Sequence, residues 1–162
     1  MSKPRQVEVG RTVICSETYG VTSVSTKGGN ARSARSRPCE QCPWREDVPT
    51  GVFPPAAFIT SAPTAYDGAI STFGCHMNPV ENPATCAGFL LRHGVNNLGV
   101  RLAIISDRLD LDRISAAKLP IYESYREMAI ANGVDPNDPC LKDVRGDQDF
   151  WDVYTRGWKR HE

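Results

Sequence analysis

Arg37-Pro38-Cys39-Glu40-Gln41-Cys42-Pro43-Trp44-Arg45, followed by Phe73-Gly74-Cys75-His76 and Thr85-Cys86-Ala87-Gly88, sets out four cysteines in the manner of ligands to one site. The two-residue spacer between Cys39 and Cys42 lets both sulfurs turn toward a common centre. Cys75 and Cys86 arrive from a later segment and complete a set of four thiolates, which suits tetrahedral zinc or the corners of a [4Fe-4S] cluster. Zinc ribbons usually pair two tight knuckles, whereas here the second pair is spread out. A Cys-Pro step and separated cysteines also suit a cluster, so both metals stay open.

Between the two halves of this set, residues 47–74 carry Pro49, Gly51, Pro54, Pro55, Pro63 and Gly68. Regular structure there must be short, and a metal tying the two ends together would fix the loop. Pro54-Pro55-Ala56-Ala57-Phe58-Ile59-Thr60 can open a helical turn, because proline is tolerated at the first helical positions. Pro83 to Gly94 reads as a helix with proline near its start and glycine at its end. Cys86 would then sit in the first turn, where the helix dipole favours the thiolate a metal requires. Leu98, Leu102, Ile105 and Leu109 recur at three- and four-residue intervals and predict a second helix. Ile121, Tyr125 and Met128 predict a third that stops at Gly133, with a turn over Asp135-Pro136-Asn137-Asp138-Pro139. Phe150, Trp151, Tyr154 and Trp158 stand at helical spacing, an aromatic stripe that is either core or a partner-binding face.

Upstream, residues 6–26 are rich in Val, Thr and Ser and alternate loosely, which predicts a short N-terminal hairpin with little apolar surface to pack. Residues 27–37 are basic and Gly/Ser-rich, as a flexible linker is. The expected fold class is α+β, a small and mainly helical domain with a loop-rich cysteine segment. The expected division places hairpin and basic linker in residues 1–36 and the metal-binding helical domain in residues 37–162.

The chain has 162 residues, about one ordinary domain, so a metal would organise part of the fold rather than all of it. Its formal net charge is 0, but residues 1–45 hold eight Lys and Arg against three Asp and Glu. Arg32, Arg35, Arg37 and Arg45 are candidate phosphate contacts, and Trp44 could stack on a base if exposed. The neutral balance argues against tight non-specific nucleic-acid binding and favours a host protein as partner. No apolar run approaches the ~18 residues of a membrane span, and the first residues lack a signal peptide's apolar stretch. The expectation is therefore a cytoplasmic protein, where the alternative reading of six cysteines as a disulfide framework lacks an oxidising compartment.

At Pro38-Cys39-Glu40-Gln41-Cys42-Pro43-Trp44-Arg45, Phe73-Gly74-Cys75-His76, Cys86-Ala87-Gly88-Phe89 and Asn97-Leu98-Gly99-Val100-Arg101-Leu102-Ala103 the chain resembles a family of small uncharacterised proteins of phages and bacteria, filed as a domain of unknown function. The resemblance covers roughly residues 37–110 and implies only that the four cysteines form a shared site. His76 is an alternative ligand in a set of three cysteines and one histidine, or a hydrogen-bond donor that tunes a sulfur. Cys75-His76 as a catalytic pair has little support, since adjacency in sequence does not place the imidazole against the sulfur. Asp107, Asp110 and Asp112 lack the glycine and closing glutamate of a calcium loop. The reading that follows is a four-cysteine metal-binding module acting as a protein- or nucleic-acid-binding regulatory factor. Its rival is an iron-sulfur protein with redox or nucleic-acid-processing activity, with His76, Arg45 or His93 lining a substrate pocket.

Overall fold

A computed structural model describes residues 3–29 and 33–144. Arg32 and the aromatic stripe from Phe150 to Trp158 lie outside the described residues. Among the described residues the architecture is mixed α+β: an antiparallel hairpin of β1 (Gln6–Ile14) and β2 (Gly20–Lys27), then four short helices. These are α1 (Pro55–Ser61), α2 (Ala87–His93), α3 (Leu98–Ile105) and α4 (Tyr125–Ala131). None exceeds eight residues, and turns, bends, 3-10 segments and irregular backbone together make up the larger part of the described chain. Helices this short are marginal alone and hold their shape through packing.

The hairpin has no buried residue in either strand. It is tethered at its ends: the Arg5 guanidinium donates to the Pro83 carbonyl at 2.7 Å, and Tyr19 sets its ring edge-on to Phe53 with centroids 5.2 Å apart. The described part of the basic linker is hydrogen-bonded into the body. The Arg35 amide donates to the Thr85 carbonyl and the Thr85 amide to the Ser33 carbonyl, each at 2.9 Å.

Thr85 lies between two partners, since it also bridges Gly74 in antiparallel fashion. Pro83 to Cys86 is consequently extended, and α2 begins only at Ala87. The helix predicted from Pro83 is shorter than expected because residues 84–86 form their backbone hydrogen bonds with neighbouring segments. α1 falls where proline placement puts it, and α3 starts at Leu98 as the periodicity predicts but ends at Ile105, so Leu109 lies beyond the helix. α4 starts with Ser124 accepting from the Glu127 amide and ends just before Gly133, whose φ of 98° suits a residue without a side chain.

The core is built around Trp44, whose side chain is fully buried against Phe73, His93 and Tyr125. It leaves no room at Gly88, where a Cβ would come within 2.5 Å of the Trp44 Cβ. The chain through Trp44 is held by Ile121 and its neighbours: Tyr122 donates its amide to the Trp44 carbonyl, and Glu46 donates to that of Pro120. Tyr125 closes the core by donating its hydroxyl to the Phe58 carbonyl at 2.7 Å.

Candidate metal centre

Local backbone geometry explains how four cysteines far apart in sequence meet. The Cys42 amide donates to the Cys39 carbonyl and the Arg45 amide to that of Cys42, two successive turns that bring Cys39 and Cys42 to one side of the chain. The Gly74–Thr85 bridge, with the Cys75 amide on the Ala84 carbonyl and the Cys86 amide on the Phe73 carbonyl, sets Cys75 and Cys86 next to each other. Cys86 then serves as the N-cap residue of α2 rather than lying in its first turn. All four are at most 7% exposed, and all six cysteines of the chain are free thiols.

The sulfurs are joined by pairwise contacts in the order Cys75, Cys39, Cys42, Cys86. Cys42 Sγ lies 3.7 Å from Cys86 Sγ. Two sulfurs on one zinc, each bonded at about 2.3 Å, stand ~3.8 Å apart at the tetrahedral angle. As they lie, the four form a chain of contacts rather than a closed shell. Among the described residues no group of three or more His, Cys, Asp or Glu is arranged so that it could hold an ion. A neutral thiol donates to its neighbour, and an ion would have to replace those protons.

Two opposing influences act on these thiols. Contact with Cys42 is the largest influence on Cys39 and raises its pKa; the Cys75 contact lowers it, and burial raises it again. For Cys42 the Cys39 contact lowers the pKa, but the Cys86 contact and burial outweigh it and push the thiol up to about 12. Cys75 is raised by its contact with Cys39 and by burial, while the Arg35 charge pulls the other way. Against these, backbone amides two residues downstream point at three of the sulfurs: Gln41 at Cys39, Trp44 at Cys42 and Met77 at Cys75. Amide hydrogen bonds of this kind favour the thiolate.

His76 sits at the rim of the quartet, with Nδ1 4.0 Å from Cys39 Sγ and its ring edge-on to Phe53 at 4.8 Å. Its Nε2 is buried with no hydrogen-bond partner among the described residues, and burial lowers the pKa of the ring. Arg45 is engaged: its guanidinium makes a bidentate pair with Asp47, both bonds 2.8 Å, and reaches the Cys39 carbonyl. Arg35 and Arg37, with Cys39 and Glu40, line an open groove of about 370 Å³ beside the sulfurs. Trp44 is wholly enclosed and has no face for a base to stack on. His93 is 4% exposed and uses Nε2 to accept the Tyr125 amide at 3.0 Å, so it is a core residue rather than a pocket wall. Asp110 accepts from the Asp112 amide and pairs with Arg113. Cys15 and Cys140 are partly exposed and stand apart from the quartet.

Sequence reasoning misses Gly88, Thr85 and Tyr125 as the residues that position the centre. A glycine two residues after Cys86 is a signal for close approach, but only the fold shows that Trp44 makes it.

A family model described as "Family of unknown function (DUF6283)" matches residues 34–145, well over half of the chain, and the chain belongs to that family. No curated protein and no solved structure matches it. The match takes in all four cysteines and His76 and leaves out the hairpin. Among the described residues no helix is long and apolar enough to cross a membrane.

Proposed function

We propose that this member of the family is a zinc-binding module in which Cys39, Cys42, Cys75 and Cys86 hold one ion, and that it acts as a regulatory factor on a host protein in the cytoplasm. The observation that carries the reading is the 3.7 Å contact between Cys42 and Cys86, close to the separation of two ligands on a single ion. In a [4Fe-4S] cluster each cysteine holds a different iron, and the sulfurs stand farther apart by the width of the cluster. Amides aimed at three sulfurs support thiolates at the same place. Four protein ligands leave zinc no open position for water, so the ion is structural and the function is binding.

A protein partner is favoured over nucleic acid by what the arginines and Trp44 do. Trp44 is enclosed in the core and Arg45 is held by Asp47, which leaves Arg35 and Arg37 as the described candidates for phosphate. Two such contacts give weak, salt-sensitive binding.

The test is metal analysis of protein purified without oxygen. A colourless preparation with stoichiometric zinc that is lost in Cys42→Ser and Cys86→Ser is the expected result. A brown preparation containing iron would replace this reading with the cluster, and metal-free protein that folds identically would remove both.

A further inference from the structure

Four thiolates around one divalent ion leave an excess of negative charge, here at cysteines that are all buried. Buried charge of one sign is costly unless a counter-charge stands near it. The amides aimed at three of the sulfurs favour the thiolate form, but a dipole brings no net charge. Two arginines stand beside the quartet. Arg45 faces Cys39 and Cys42, yet its bidentate pair with Asp47 is the largest influence on it and offsets its charge locally. Arg35 is different, because no carboxylate among the described residues pairs with it. It lines the open groove together with Cys39, and its charge acts on Cys75 against the raising effects of the Cys39 contact and of burial.

We infer that Arg35 is the counter-charge of the four-cysteine centre, a positioning residue that favours ligand thiolates through its guanidinium rather than a contact for phosphate. The inference rests on the zinc reading above and goes beyond it in naming a residue that sets the affinity for the ion. The main chain holds Arg35 in place. Thr85 pairs with Ala34 in parallel and with Gly74 in antiparallel fashion, and Gly74 and Thr85 immediately precede Cys75 and Cys86. The Arg35 amide, donating to the Thr85 carbonyl at 2.9 Å, fixes residue 35 against the segment that carries these two ligands. Backbone atoms make all of these bonds, so the guanidinium takes no part in them. With Arg35 committed to the sulfurs, the groove keeps Arg37 and Glu40, whose charges offset, and it has little net attraction for a polyanion.

Zinc affinity of the intact chain, measured by competition with a chelator, tests this. Arg35→Gln is expected to weaken binding about 10–100-fold at unchanged stoichiometry, the usual loss when a partner of the ligands is removed. Arg35→Lys keeps the charge and is expected to recover most of that loss, whereas a purely structural role of the arginine side chain would be lost in both variants alike. Lys142→Gln removes one exposed positive charge elsewhere on the body and is expected to change the affinity by no more than about twofold, because solvent and salt screen it. Unchanged affinity in Arg35→Gln, a loss that Arg35→Lys does not recover, or an equal loss in Lys142→Gln overturns the inference and leaves the zinc reading standing. An unaltered chain that binds no zinc overturns both.

Discussion

The hairpin and the cysteine-built body are made of the same chain but held in opposite ways. Strands β1 and β2 hydrogen-bond mainly to each other and bury no residue. The body has little regular structure, yet Trp44, Phe58, Phe89, Tyr125 and Met128 are all enclosed. Regular backbone hydrogen bonding and burial are therefore separable here, and stability follows burial. A two-stranded hairpin is marginal in water by itself, whereas each large side chain taken out of solvent contributes roughly 1.5–3 kcal/mol. The family match, which begins at residue 34, follows the same division.

The largest expected difference between the two regions comes from metal removal. Structural zinc sites carry apparent binding energies of about 10–16 kcal/mol in small peptides, and a share of this would act on the body. Chelation should lower the thermal midpoint of the body sharply and leave hairpin amides exchanging as before. Acid should act in the same direction as a chelator. Each ligand thiol must lose a proton to bind, and Cys39, Cys42 and Cys75 all have raised pKa values without the ion, so affinity falls as pH falls. Zinc titrations across neutral pH check the sign: affinity that rises on acidification would rule the thiolate centre out.

Next in size is Gly88→Ala. The added methyl would overlap the Trp44 side chain, and both lie on fixed backbone, so neither can yield cheaply. Overpacking of this kind costs about 1–3 kcal/mol, and here it presses on the segment that holds Cys86. Denaturant unfolding measures the loss. The same substitution at Gly51, where nothing approaches but φ is 82°, shows what a backbone penalty alone costs in the same body. Tyr125→Phe is smaller. It removes one hydroxyl and strands the Phe58 carbonyl, a loss of about 1–3 kcal/mol for an unsatisfied acceptor, tending to the lower end because the ring packing survives.

What can be read in the sequence follows from how local each signal is. The Cys39–Cys42 knuckle, the Gly133 stop and the hairpin rest on short-range geometry, and all three stand where that geometry puts them. The direction of α3 is not legible in the same way. Its periodic Leu98, Leu102 and Ile105 face outward, while Gly99, Val100 and Ala103 face the core. Small residues that permit close backbone approach, as Gly99 does beside Ile70, carry no weight in a count of large apolar side chains. Trp44 is ambiguous for a related reason: a tryptophan after a knuckle is equally suited to a surface or a core, and only the gap at Gly88 decides it. Thr85 reads as helical from sequence because its bridging partners, Ser33, Arg35 and Gly74, are distant along the chain.

The smallest effect belongs to the hairpin. Ile14 is 75% exposed and Val9 51%, so Ile14→Thr removes little from any packed surface and retains a β-branched side chain suited to a strand. The global unfolding energy should move by no more than about 0.5 kcal/mol. Amide exchange should show the strands opening at lower energy than α2 or α4, because little apolar burial resists their separation. The tethers at Arg5 and Tyr19 set how far this goes. If Ile14→Thr instead lowered the unfolding energy as much as Gly88→Ala does, the exposed face of the hairpin would have to be covered in solution, and the contrast between the two regions would fail at its weaker side.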